Sequence, residues 1–158
     1  MTLPLPAAPV LRPVGPFDLE LLAGMHAACF EDCWNATAFG SLLSTPGSFG
    51  LLAESQGEPA GFLVGRAAAD EGEVLTFGVM PEHRRRGVGR GLLAAGREEL
   101  ARRGVHRLFL EVAEDNAAAV ALYRACGFRP AGRRPGYYRR SGKAPVAALL
   151  LLHDSEAS

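Results

Sequence analysis

Residues 83 to 93 read HRRRGVGRGLL, four arginines and three glycines packed into the approach to an apolar, helix-like run. Before it lies EVLTFGVM, residues 73 to 80, a strand-like stretch of branched and aromatic side chains. After it the apolar spacing of three and four continues, which predicts the longest helix of the chain from about Gly87 to Arg103, ended by Gly104. The quoted stretch therefore joins a strand to a helix. The first amides of a helix have no intrahelical acceptor and carry the positive end of its dipole, so such a junction is a ready anion site. Gly87 and Gly89 would let the backbone approach a bulky diphosphate where a Cβ would collide, and Arg84, Arg85, Arg86 and Arg90 add charge nearby. The pattern reads as a pyrophosphate cradle. It lacks the Gly-Lys-Ser/Thr of a Walker A loop, and it does not stand after a first strand as a dinucleotide G-x-G-x-x-G does.

Working outward, helical and strand periods alternate without linkers or repeats. Residues 10 to 15 suit a short strand, Asp18 is expected to cap the helix LELLAGMHAACF, and Asn35 a shorter one through Leu43. FGLLAES and PAGFLVGRAAA read as strands joined by a turn at Gln56, Gly57, Glu58 and Pro59. Beyond the long helix come the strand RLFLEVA, a helix opened by Asn116 and closed by Gly127, and two strands, FRPAGRRPGYYR and PVAALLLLHD. The order βααβββαβαββ predicts one α/β (α+β) domain on a mainly antiparallel, locally parallel sheet, with residues 1–9 and the last five loose.

Bulk composition bounds the function. With 158 residues, 48% apolar and 22% charged, the chain fits one domain with a substantial core. Formal net charge is zero, yet residues 1–80 hold two basic and nine acidic side chains and residues 81–158 hold fifteen and eight, giving −7 against +7. A basic half suits phosphate-bearing ligands, whereas overall neutrality argues against direct nucleic-acid binding. MTLPLPAAPV lacks the features of a secretory signal, and the longest apolar run, Ala144 to Leu152, is too short to span a bilayer, so a cytoplasmic location and no membrane partner are expected. Three cysteines, an odd number, suit a reducing compartment. His26, Cys29 and Cys33 could lie on one helical face as metal ligands, but no fourth ligand is spaced to close a site, so they are expected to be small packed residues and no metal is expected. Cys126, before Gly127, reads as core.

R-x-x-G-x-G from Arg84 to Gly89, following LTFGVMP, resembles the acetyl-coenzyme A signature of the GNAT acyltransferase superfamily. LFLEVAEDNAAAVALYRACGF, residues 108 to 128, resembles the corresponding block of RimI-type ribosomal protein alanine N-acetyltransferases, and GRRPGYYRR resembles their arginine and tyrosine pair. The likeness is strong from about Glu73 to Arg140, weaker in CFEDCWNATAF, and absent from the first ten residues. It implies a single GNAT N-acetyltransferase domain over residues 10–153, with about seven strands, four helices and a central V-shaped splay. There EVLTFGVM and RLFLEVA would run parallel and diverge around the pantetheine arm of acetyl-coenzyme A. The likeness implies that Phe77, Gly78 and Val79 offer backbone groups to that arm, with the Val79 amide near the thioester carbonyl. It puts Arg85, Arg86, Gly87, Val88, Gly89 and Arg90 at the diphosphate, and gives Asn116 a cofactor contact compatible with a helix N-cap.

Aminolysis of a thioester needs a base for the attacking ammonium and an acid for the departing thiolate. Glu111 stands in an otherwise apolar strand, where a carboxylate is costly unless a cleft solvates it or a partner pairs with it. Alternation puts Leu108, Leu110 and Val112 on one face and Phe109, Glu111 and Ala113 on the other, which leaves open whether Glu111 is a base or a surface carboxylate. With the family likeness, Glu111 is the expected base. Tyr123 is the expected acid, since the matching family tyrosine protonates the cofactor sulfur, and its alternative is a packed aromatic. No Ser-His-Asp or Cys-His set competes, so direct attack by the amine is expected.

The likeness to RimI-type enzymes implies a protein N-terminal α-amino group as acceptor, chiefly the alanine of a ribosomal protein. Tyr137 and Tyr138 would line the peptide entrance, and the acid-free tract from Arg124 to Lys143, with seven basic residues, would either attract acidic peptides or be a solvated hairpin. EGEVLTFG departs from those relatives in having threonine and phenylalanine where asparagine and isoleucine are frequent. Two other functions stay open: a GNAT acting on a small-molecule amine, and a noncatalytic acyl-coenzyme A-binding subunit.

Overall fold

The computed structural model describes residues 8–140 and 142–155. The loose segments expected at 1–9 and at the last five residues fall largely outside that range. The described residues form β1 (Val10–Pro13), α1 (Leu19–Cys29), α2 (Ala36–Leu43), β2 (Ser48–Ser55), β3 (Glu58–Ala68), β4 (Glu71–Val79), α3 (Val88–Arg102), β5 (Arg107–Ala113), α4 (Ala117–Ala125), β6 (Arg129–Tyr138) and β7 (Val146–Asp154), the expected order. A 3₁₀ turn over Pro81–His83 links β4 to the arginine-rich loop.

The seven strands make one sheet in the order β1-β2-β3-β4-β5-β7-β6. Every pairing is antiparallel except β4 with β5. That parallel pair holds only over Glu71–Glu73 against Arg107–Phe109, and then the strands separate into the expected splay. The cause is local. Thr76 lies opposite Val64 on β3 and Val74 opposite Gly65, so Leu75 is an extra residue with no opposite number. Such a bulge bends its strand and increases its twist, here just past the last residue shared with β5.

Two layers of helix cover the sheet. On one face, Val88, Leu92, Leu93 and Leu100 of α3 and Tyr123 of α4 pack on Leu63, Leu108, Leu110, Val112 and Leu151. On the other, Leu22 and Met25 of α1 and Phe39 of α2 pack on Leu52, Phe62 and Val64. Burying a side chain such as Leu92 stabilises the fold by about 1.5–3 kcal/mol.

Two local expectations need correction. Asp18 precedes α1 but its side chain caps nothing. Its carboxylate instead accepts from the Gly15 amide (2.7 Å) and from Arg12 (2.8 and 3.0 Å), because a cation on β1 offers a stronger, charged donor. The β2–β3 turn is also tighter than expected: Gln56 and Gly57 make it with positive φ, and Glu58 and Pro59 already belong to β3. Asn35 and Asn116 do cap, accepting from the amides of Ala38 (2.8 Å) and Ala119 (3.2 Å).

Candidate active site

The cradle forms where β4 ends. Arg85 (φ 63°) and Gly87 (φ 83°) both take left-handed conformations and curl the loop onto the first turn of α3. No side chain caps α3, so its first amides stay available to an anion. A Cβ on Gly87 would meet nothing within 4 Å, so the space beside this turn is open. Arg85, Arg86 and Arg90 are exposed. Two expectations change here. A Cβ on Gly89 would lie 3.1 Å from Leu122 and 3.2 Å from Phe77, so the missing side chain there serves the close packing of α3 on α4 and β4. Arg84 does not simply add charge to the loop, because its Nε donates to the Val79 carbonyl (3.1 Å).

That bond falls at the splay. Met80 N–H donates to Ala60 O, so the alternation of an antiparallel ladder turns the Phe77 and Val79 backbone groups away from β3, toward the side β5 has left. The Val79 carbonyl is engaged by Arg84 and, at 3.6 Å, by the Cys29 thiol. Gly78 turns its backbone groups toward Phe62 on β3. Val88, beside the cradle, is buried in the core.

On the α1–α2 side of the sheet an open cleft of about 970 Å³ follows the divergence of β4 and β5. Glu111 lines it, together with Asp32, Trp34, Phe109, Arg134, Tyr137 and Tyr138. The buried residues of β5 are Leu108, Leu110 and Val112, so the Glu111 face is the one that opens to the cleft. Sheet register explains its partner. Glu111 lies opposite Leu150 of β7, which lies opposite Gly132 of β6. Arg134, two residues further along β6, reaches across to the carboxylate at 3.3 Å.

Tyr123 is not on that cleft. It stands on the α3–α4 face, 7% exposed, with the Phe77 ring at 6.0 Å and the Phe128 ring at 5.9 Å. Burial, then the neighbouring Tyr138 phenol, push its pKa well above the usual phenol range. Tyr138 is raised too, first by burial and then by Glu111. Tyr138 thus sits within electrostatic reach of both Glu111 on the cleft and Tyr123 behind it, a link that sequence did not reveal. Asn116 lies at the start of α4 with its Oδ1 used by the cap, leaving its amide NH₂ as a donor.

The basic tract is less free than its composition suggests. Arg133 pairs with Glu114 (2.9 Å), Arg134 with Glu111 (3.3 Å) and Arg140 with Asp115 (2.5 Å). The cleft itself carries the carboxylates of Asp32, Glu71, Glu73 and Glu111 against the guanidiniums of Arg66 and Arg134. Among the described residues no group of three or more His, Cys, Asp or Glu is arranged to hold a metal ion. Cys33 is exposed, while Cys29 and Cys126 are partly buried. No helix among the described residues is long and apolar enough to cross a membrane.

The Acetyltransferase (GNAT) family profile matches residues 19–128. The chain is 41% identical over 133 residues to the N-alpha-acetyltransferase RimI of Mycobacterium tuberculosis, covering 79% of this chain and 81% of that protein. It is 43% identical over 96 residues to the [ribosomal protein bS18]-alanine N-acetyltransferase of Escherichia coli, an alignment spanning 61% of this chain and 65% of the relative. The crystal structure of the ribosomal-protein-S18-alanine N-acetyltransferase from Escherichia coli superposes with a TM-score of 0.85 at 27% identity, over 96% of both chains.

Proposed function

From the membership of this chain in the GNAT acetyltransferase family, with RimI-type enzymes among its relatives, we propose that it transfers the acetyl group of acetyl-coenzyme A to the free α-amino group of a protein N-terminus, alanine above all. The observation that carries this is Glu111, a carboxylate opening onto a long cleft at the divergence of β4 and β5, with the cradle at the end of the same β4. The acceptor would be a ribosomal protein N-terminus, as the names of the relatives suggest.

The cradle residues suit a diphosphate. The uncapped amides of Val88, Gly89 and Arg90, the left-handed turn at Arg85 and Gly87, and the exposed guanidiniums of Arg85, Arg86 and Arg90 supply donors and positive charge. Phe77 and Val79 would offer backbone groups to the pantetheine arm, Gly78 having turned its own toward β3, with the Val79 N–H at the thioester oxygen and the Asn116 amide contributing a contact at the start of α4. Glu111, directly or through one water, takes a proton from the acceptor ammonium. The freed amine attacks the acetyl carbonyl, and the Val79 amide stabilises the oxyanion. That attack forms the C–N bond; collapse of the tetrahedral intermediate re-forms the carbonyl and breaks the C–S bond, the second proton leaves the nitrogen for solvent, and Tyr123 donates to the departing sulfur. A phenol whose pKa is raised by burial keeps its proton at neutral pH and serves first as a hydrogen-bond donor to the developing thiolate.

An α-amino group with a pKa near ~8 gives up its proton at neutral pH far more readily than a lysine near ~10.4, which favours N-termini over side chains. Arg133, Arg134 and Arg140 of the Arg124–Lys143 tract are paired with Glu114, Glu111 and Asp115, so the preference for acidic peptides suggested by that tract is not carried forward. The test is steady-state acetylation of an alanine-led peptide beside spermidine and a free amino acid. Efficient turnover of the peptide alone supports the proposal. Turnover of the small amines alone would move the chain to the small-molecule branch, and turnover of none would favour a binding subunit.

A further inference from the structure

Between α1 and α2 the chain from Phe30 to Asn35 forms neither helix nor strand, yet its Asp32 and Trp34 line the cleft. A buried histidine holds this segment. His26 of α1, 2% exposed, has a partner at each ring nitrogen: the Trp34 N–H donates to Nδ1 (3.2 Å) and Nε2 lies 3.2 Å from Thr76 Oγ1 on β4. A backbone N–H can only donate, so Nδ1 is the bare nitrogen, and Nε2 carries the proton and donates it to the threonine. The rings of Phe30 and Trp34 stack on the imidazole at 4.5 and 4.9 Å, and Phe39 and Phe62 enclose it at 5.3 and 5.8 Å.

We propose that His26 is a positioning residue for the acceptor: its neutral ring ties the 30–35 segment to β4, so that Asp32 and Trp34 are held as a wall of the cleft. The proposal rests on that cleft being the acceptor site. Protonation of the ring puts an N–H at Nδ1 against the Trp34 N–H, so the tie opens in acid. The groups packed on the ring are aromatic, Phe30 and Trp34 from the segment itself, Phe39 from α2 and Phe62 from β3; β4 offers the Thr76 hydroxyl, and Cys29 lies one turn further along α1. Burial holds the imidazole below its ordinary pKa, against a smaller opposite pull from the Asp32 carboxylate.

The experiment compares wild type with His26→Asn, whose side-chain oxygen can replace Nδ1 as acceptor, His26→Ala and Thr76→Val. Alanine-led peptide and acetyl-coenzyme A are varied separately. The peptide KM should rise about tenfold in His26→Ala, less in Thr76→Val and little in His26→Asn, with kcat and the acetyl-coenzyme A KM held within about twofold. Trp34 is the single tryptophan of the chain, so its emission reports on the segment directly. Acidification from about pH 7 to about pH 5 should shift the emission of wild type and leave His26→Asn flat. An unchanged peptide KM in His26→Ala, a fall in kcat alone, no recovery in His26→Asn, or identical emission titrations would overturn the proposal. If His26→Ala does not fold, the other two variants and the emission titrations decide in the same way. A wild-type protein that acetylates no peptide overturns the acceptor reading and the positioning role with it, while the tryptophan titration reports separately whether the tie exists.

Discussion

At the scale of single residues, the proposed chemistry turns on a carboxylate that strand alternation could single out but could not orient. The spacing in RLFLEVA left Glu111 on one of two faces, and only the packing of Leu108, Leu110 and Val112 into the core shows that its face borders the cleft. Its partner Arg134 was illegible because the contact crosses β7, and the two register offsets that allow it are not written in either strand. Tyr123 was legible as an aromatic on a packed helix face, and both its proposed role and its packed alternative survive its burial beside Phe77 and Phe128. Glu111→Gln should lower kcat by about 10²- to 10⁴-fold with little change in acetyl-coenzyme A affinity, measured by calorimetry beside the kinetics. Full turnover in the Gln variant would make Glu111 a surface carboxylate that happens to edge the cleft.

At the scale of elements, the junction of β4 and α3 was readable because its composition is extreme. Glycine and arginine crowd a few positions between an apolar strand and an apolar helix, and the structure gives that loop two left-handed residues and an uncapped helix start. The bulge at Leu75 that opens the splay left no such signal, since an extra residue in a strand shows only against its neighbour. Nor did sequence reveal that Asp18 would be drawn from capping by Arg12. The two cradle glycines should now separate in their effects. Gly87→Ala places a side chain in the open space beside a left-handed turn, and should raise the acetyl-coenzyme A KM several-fold at a cost of about 1 kcal/mol in stability. Gly89→Val pushes into Leu122 and Phe77 and should cost about 1–3 kcal/mol, read as a lowered Tm. Equal effects on Tm and KM from both variants would contradict this division.

At the scale of the whole molecule, the sequence halves of −7 and +7 are not kept apart by the fold, because β4 of the acidic half runs beside β5 of the basic half and Arg107 there pairs with Glu71. The acid side of the stability profile is set by buried and half-buried groups. His26 and His153 are both held below their ordinary pKa of 6.5, chiefly by burial, so the unfolded chain takes up protons that the folded chain refuses. Stability should therefore fall as pH drops below about 6.5 and continue falling to the folded-state pKa values. Asp18 acts lower down: held at about 2 against 3.8 by Arg12 and the Gly15 amide, it contributes stability above 3.8 that is lost as pH falls toward 2. Urea unfolding at about pH 7.5, 5.5 and 3.5 should show a steady loss, and a flat profile between the first two would contradict the buried-histidine assignment. The central claim is acyl transfer to an α-amino group, and the most direct test uses one peptide bearing both a free N-terminal alanine and an internal lysine. After incubation with acetyl-coenzyme A, fragmentation mass spectrometry should locate the acetyl group on the alanine nitrogen, with the signal lost in Glu111→Gln. Acetyl groups on the lysine ε-nitrogen with none on the N-terminus would contradict the account.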